Sequence, residues 1–218
     1  MFNDEDGPLV RPLVKICGLT TLEDAAAAIE FGADALGFNF FAGSRRYLAI
    51  GSRGFIATLP AAIPKIAILV NPGWEEAVAA AESPGITALQ LHGAETPDFC
   101  RKLAEHRIRF AKALPVTTAD SVTNLPSFCT GTVLLDSSKA GEFGGSGKTF
   151  PWRIARDFVQ SNPQLRVVLA GGLTPENVAE GIAAVRPFAV DVTSGVESVA
   201  GRKDHGRLRA FIEAARGR

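Results

Sequence analysis

Eight short apolar runs, rich in β-branched and aliphatic residues, recur along the chain at intervals of roughly 20 to 30 residues, with segments of helical period between them. They are centred on residues 13–17 (LVKIC), 35–40 (ALGFNF), 65–70 (KIAILV), 88–92 (ALQLH), 109–114 (RFAKAL), 132–136 (TVLLD), 166–171 (RVVLAG) and 188–193 (FAVDVT). Strand alternating with helix argues for βαβ units and a parallel sheet. The spacing suits a right-handed crossover helix each time. Eight such units close naturally into a barrel, whereas an open doubly wound sheet more often has about five or six strands and a Gly-x-Gly-x-x-Gly turn after the first. The first turn here is Cys17-Gly18-Leu19-Thr20, which lacks that fingerprint. The expected fold is therefore α/β: a single-domain (β/α)₈ TIM barrel over residues 12–218, behind a flexible polar tail at residues 1–11. No composition shift or low-complexity tract divides it.

The helix candidates have recognisable starts. Thr20 or Thr21 can cap a helix beginning at Leu22-Glu-Asp-Ala, with acidic residues in its first turn. Thr174-Pro-Glu-Asn and Phe150-Pro-Trp each suggest a proline at the first helical position.

Composition narrows the class of function. A chain of 218 residues with 46% hydrophobic residues and a formal net charge of zero can bury one large core and offers no excess charge to a polyanion or an acidic membrane. Neither a nucleic-acid nor a membrane partner is expected. Cys17, Cys100 and Cys129 are widely spaced, without the paired spacing of a zinc site or the density of a secreted disulfide scaffold, which points to a reducing cytoplasm. The first residues lack the basic flank and apolar stretch of a signal peptide, and no run reaches the ~18 apolar residues of a membrane span.

In such a barrel the chemistry sits at the C-terminal ends of the strands, so the polar residues that end each apolar run are the informative ones. They are Lys15 and Cys17, Asn39, Gln90 and His92, Lys112, Asp136, and Asp191. Strand side chains alternate, which puts Lys15 and Cys17 on one face, toward the barrel interior, and Val14 and Ile16 on the other. By position alone Cys17 reads equally as a reactive thiol or a small buried hydrophobe. Asp136 reads as a functional carboxylate or a loop cap, and His92 as a site residue or a satisfied core histidine. No ligand cluster or Gly-x-Ser-x-Gly elbow supports a metal site or acyl transfer.

Glycine-rich segments follow the last three strands: Gly141 to Gly147, Gly171-Gly172, and Thr193-Ser194-Gly195. Bare backbone N–H groups beside helix N-termini suit a phosphate, and the barrel commonly places one after its seventh and eighth strands. Tight turns alone would also call for glycine. Three such loops side by side favour the anion.

Taken together, these residues resemble the phosphoribosylanthranilate isomerase family, cofactor-free barrel enzymes of tryptophan biosynthesis. The likeness runs from about Val14 to Ala215 and rests on seven ordered motifs. These are Lys15-Ile-Cys-Gly-Leu-Thr20, Gly37-Phe-Asn-Phe-Phe-Ala-Gly-Ser-Arg-Arg-Tyr47, Leu89-Gln-Leu-His-Gly-Ala-Glu95, Leu134-Leu-Asp136 with Gly144-Gly-Ser-Gly147, Leu169-Ala-Gly-Gly-Leu-Thr-Pro-Glu-Asn-Val178, Asp191-Val-Thr-Ser-Gly-Val-Glu197, and Gly201-Arg-Lys-Asp204. Thr193, Ser146 and Pro151 depart from the family's usual residues.

The resemblance implies Cys17 as general base, Asp136 as general acid and Arg46 as the partner of an anthranilate carboxylate. It implies a phosphate against the loops of Gly145, Gly171, Gly172, Ser194 and Gly195, with Gln90, His92 and Asp191 as further substrate contacts. No cofactor or metal is implied, and the protein is expected as a monomer or homodimer acting on a small phosphorylated substrate. For these roles the Cys17 pKa is expected to fall below ~8.5, helped by Lys15, and that of Asp136 to rise above ~3.9. Two alternatives stand beside this one: a barrel isomerase also accepting the histidine-pathway aminoaldose, and a non-catalytic phosphosugar-binding barrel.

Overall fold

The computed structural model describes residues 11–116, 118–122, 127–137 and 151–217. The eight apolar runs form eight strands: β1 (Leu13–Ile16), β2 (Ala35–Asn39), β3 (Lys65–Leu69), β4 (Ala88–Leu91), β5 (Phe110–Pro115), β6 (Thr132–Asp136), β7 (Arg166–Leu169) and β8 (Ala189–Val192). Each neighbour pair is parallel, and β1 pairs with β8 to close the barrel, with Lys15 opposite Asp191. The chain is one α/β barrel domain, as its pattern predicts.

The two faces of each strand separate two cores. Small and medium residues such as Ala35, Ile66, Ala111, Leu134, Val168 and Ala189 fill the lumen. Larger ones, among them Val14, Ile16, Phe38, Leu89 and Leu135, point outward against the helices. Each fully buried aliphatic side chain contributes about 1.5–3 kcal/mol. An exception on the outer face is Lys112, which shares its side of β5 with Phe110 and Leu114. It therefore turns away from the barrel mouth, contrary to its place among the strand-end candidates.

Six α-helices cover the barrel among the described residues: α1 (Leu22–Phe31), α2 (Trp74–Ala81), α3 (Pro97–Glu105), α4 (Trp152–Ser161), α5 (Val178–Val185) and α6 (His205–Ala215). Thr21 caps α1, its hydroxyl accepting from the Asp24 N–H. The expectation of a crossover helix after every strand fails after β2. There the link consists of two short 3₁₀ segments, Ile50–Ser52 and Gly54–Thr58. Gly51 and Gly54 weaken any helix across this stretch and Pro60 stops one, so no full α-helix has room to form. After β5 the described part of the link is a 3₁₀ segment, Ala119–Val122.

The two expected proline starts are also displaced. Pro151 is the extended N-cap of α4 rather than its first residue, and Pro175 lies in a turn before α5. The Asn177 side chain explains the latter: its Oδ1 accepts from the Thr174 N–H at 2.8 Å and its Nδ2 donates to the Gly172 carbonyl at 3.0 Å. That side-chain-to-backbone bonding holds residues 174–177 in a turn and delays the helix. Beyond β8 the chain adds a short antiparallel hairpin, β9 (Glu197–Val199) and β10 (Arg202–Lys203), before α6.

Candidate active site

One cleft opens at the C-terminal ends of the strands, and it brings together the expected residues that are described. Cys17, Arg46, Gln90, His92, Asp136, Gly171, Gly172, Asp191, Ser194 and Gly195 all line it, along with Asn39, Ser44 and Thr193. Gly145 and the rest of the loop after β6 lie outside the described residues.

A hydrogen-bonded chain of side chains crosses the lumen beneath this cleft. The Lys15 ammonium donates to Asp191 Oδ1 at 2.8 Å and to Gln90 Oε1 at 3.0 Å. With its oxygen used as that acceptor, the Gln90 amide presents its nitrogen to His92 Nδ1 at 2.9 Å. Only a donor remains on that nitrogen, so His92 Nδ1 accepts and the proton of the neutral ring sits on Nε2. From there it points to Asp136 Oδ2 at 3.1 Å. The Asp191, Lys15, Gln90, His92 and Asp136 side chains thus form a continuous bridge from β8 to β6.

Burial works against the Lys15 ammonium, yet Asp191, with Cys17 alongside, holds its pKa above the ordinary lysine value. It is a fixed positive charge inside the barrel.

Cys17 stands beside this charge, and a close approach admits it. A Cβ added at Gly37 of β2 would lie 2.8 Å from the sulfur, so glycine there makes room for the thiol. The expected lowering of the thiol pKa does not occur in this site. Burial pushes Cys17 up, Asp191 adds to the push, and Lys15, Lys203 and a hydrogen bond with Thr193 offset only part of it. Desolvation of a thiolate outweighs two nearby cations because one of them, Lys15, is already matched by Asp191.

Arg46 reaches the cleft from the loop after β2. Its Nε and Nη2 donate in a fork to the Glu197 carboxylate at 2.9 and 2.7 Å, which fixes the plane of the guanidinium. That bond, and the charge of Glu197, raise the Arg46 pKa. Glu197 in turn takes the Lys203 ammonium at 3.2 Å. Sequence reasoning quotes Glu197 and Lys203 within motifs and assigns neither a role. On the opposite flank Gly171 and Gly172 have φ of 81° and 66°, the left-handed region that favours glycine. They turn the chain back under the cleft just after β7.

A closed parallel barrel whose acid, thiol, arginine and glycine loops converge at its C-terminal mouth is the architecture of a barrel enzyme. The comparisons agree. Residues 14–214 match the family model described as N-(5'-phosphoribosyl)anthranilate (PRA) isomerase. An N-(5'-phosphoribosyl)anthranilate isomerase of Trichlorobacter lovleyi is 43% identical over 93% of this chain and 97% of its own. The crystal structure of phosphoribosyl anthranilate isomerase from Thermotoga maritima superposes with a TM-score of 0.83 at 41% identity, covering 95% of this chain and 100% of that one. A phosphoribosyl anthranilate isomerase solved in complex with reduced 1-(o-carboxyphenylamino)-1-deoxyribulose 5-phosphate gives the same score at 39% identity, with 95% and 100% covered. The chain belongs to the N-(5'-phosphoribosyl)anthranilate isomerase family, the one its motifs resemble.

Proposed function

We propose that the chain catalyses the Amadori rearrangement of N-(5-phosphoribosyl)anthranilate to 1-(2-carboxyphenylamino)-1-deoxyribulose 5-phosphate, with Cys17 as general base and Asp136 as general acid. The observation that carries this reading is that a thiol from the end of β1 and a carboxylate from the end of β6 line one cleft with Arg46 and the glycine loops. In the proposed course, Asp136 gives a proton to the ring oxygen and the furanose opens to a protonated Schiff base. Cys17 takes the C2 proton, leaving an enolamine. That species gains a proton at C1 and loses one from its 2-hydroxyl to become the ketose. Each catalytic proton transfer is worth roughly 10²–10⁴-fold.

Arg46 meets the anthranilate carboxylate, and the phosphate rests on Gly171, Gly172, Ser194 and Gly195. Gln90, His92 and Asp191 border the sugar while also holding Lys15 and Asp136.

The test is turnover of phosphoribosylanthranilate by the wild type, Cys17→Ala and Asp136→Asn. Each variant should lose at least ~10²-fold in kcat with the fold intact. Because burial pushes the Cys17 thiol up, wild-type kcat/KM should climb with pH above neutrality. Near-wild-type turnover by either variant removes that residue from the mechanism.

A further inference from the structure

Lys203 is a buried cation behind the lining of the cleft, and the proposed reaction gives it no role. It comes from β10, at the far end of the sequence from the base, and its side chain is wholly buried. Its ammonium makes three bonds that diverge to three parts of the site. One goes to the Cys17 carbonyl at 2.7 Å. Another goes to the Thr193 carbonyl at 3.1 Å, directly before Ser194 and Gly195. The last goes to Glu197 Oε1 at 3.2 Å, and the same carboxylate grips Arg46.

The hairpin that carries Lys203 is anchored against the β1 side of the barrel. The Thr20 hydroxyl donates to the Gly201 carbonyl at 2.6 Å, and the Lys203 N–H donates to Asp24 Oδ2 at 3.1 Å. A surface hairpin needs no buried cation to hold its shape. A buried ammonium is costly unless its charge is used, and here two of its three acceptors are carbonyls of the cleft-lining Cys17 and Thr193, while the third, Glu197, holds the cleft-lining Arg46.

We propose that Lys203 is a positioning residue: from the β9–β10 hairpin it fixes the backbone of the base, the strand exit beneath the phosphate loop and, through Glu197, the arginine that meets the substrate carboxylate. The assignment rests on the reading of Cys17 as base. It adds that the positive field at the thiol has two sources, Lys15 from within the lumen and Lys203 from outside it. The charged and titratable groups facing Cys17 are then Lys15 of β1, Asp191 of β8, Lys203 of β10 and Arg46 of the loop after β2, with the Thr193 hydroxyl. Lys15 is matched by Asp191, and Lys203 shares Glu197 with Arg46. Burial pulls the Lys203 pKa below the ordinary lysine value and Glu197 offsets only part of that, so of the two lysines Lys203 is the weaker source of charge at the thiol.

The experiment reads the thiol directly. In a Cys129→Ser background, which removes the exposed thiol, the rate of Cys17 alkylation by iodoacetamide is followed against pH. Cys100 is sealed in the core between strands and helices, out of the reagent's reach, whereas Cys17 lines the cleft. Lys203→Gln should move the alkylation midpoint up by at least about half a pH unit, and Lys203→Arg should return it toward wild type. Glu197→Gln should raise KM at least about threefold while kcat changes less. A merely structural Lys203 would lower the melting temperature and leave midpoint and KM of the folded molecules at wild-type values, which overturns the assignment. If Lys203→Gln does not fold, the KM of Glu197→Gln decides in the same way. Failure of the base itself shows separately, as turnover retained by Cys17→Ala, because alkylation does not depend on catalysis.

Discussion

Two of the three buried lysine–carboxylate pairs among the described residues are built alike. Lys203 pairs with Glu197 at the mouth, and Lys112 pairs with Glu95 at 2.9 Å under the loops after β3 and β4. Both lysines also donate to main-chain carbonyls, Lys112 to those of Gly93 and Ala113. The difference lies in where each carboxylate spends its remaining capacity. Glu95 accepts from the N–H groups of Asn71 and Gly93, so its bonds end on backbone and the pair staples two loops. Glu197 accepts from Arg46, whose guanidinium borders the cleft. The same pair holds up architecture in one place and aims a cleft-lining side chain in the other. Burial and charge do not distinguish them; the next partner along the chain of bonds does.

That contrast is open to attack first at the architectural pair. Lys112→Met strands the Glu95 carboxylate among backbone partners and should cost about 3–5 kcal/mol of stability. Urea unfolding should show the loss, while KM per folded molecule stays near wild type; a large rise in KM would mean that the Lys112 pair also serves the site.

A smaller effect is expected at the mouth, and of the opposite kind. Arg46→Ala should weaken substrate binding by about 1.5–3 kcal/mol, a charged hydrogen-bond partner lost, seen as roughly a 10–100-fold rise in KM. Stability should change little beside it. Steady-state kinetics with a melting curve on the same sample would expose a fall confined to kcat, which would place Arg46 in the chemical step instead.

The least of the three concerns acid. Burial alone would raise the Glu197 pKa, but the Arg46 fork and Lys203 overcome it and hold the carboxyl below the usual range. A folded-state pKa below the unfolded one gives stability that is complete above the ordinary carboxylate pKa and is lost as pH falls through the lowered value. Because burial of the carboxyl opposes what Arg46 and Lys203 supply, this contribution should be the smallest of the three. Unfolding midpoints of wild type and Glu197→Gln compared from pH 7 down through the carboxylate range should converge; parallel curves would show that the carboxylate adds nothing.

The strands were legible because a barrel strand writes itself locally. In residues 13–17 the outward Val14 and Ile16 and the inward Lys15 and Cys17 alternate within five letters, and each of the eight runs lands within two residues of its strand. The place of Cys17, Asp136 and Arg46 at the cleft was legible through motifs. The link after β2 was not, since spacing reports that a crossover exists but not whether Gly51, Gly54 and Pro60 let it become helical. The direction of the Cys17 shift was hidden for a different reason. Lysine two residues away is visible in sequence, but the burial that outweighs it, and the Asp191 that matches it, belong to the closed barrel. Lys203 illustrates the general limit: its bond to the Cys17 carbonyl spans 186 positions, and no local periodicity reports a contact of that kind.

The pairing of β1 with β8 also sets a clock on the protein's own manufacture. The thiol strand leaves the ribosome well before the Asp191 and Lys203 that surround it. Until the final barrel strand docks, the strand leading into Cys17 has one edge unpaired and its thiol has none of its late-arriving neighbours. A partial barrel, whether nascent, truncated or misassembled, therefore holds the pieces of a site without a site. On the proposed reading, turnover becomes a readout of ring closure: it should arrive only once β1 and β8 have met.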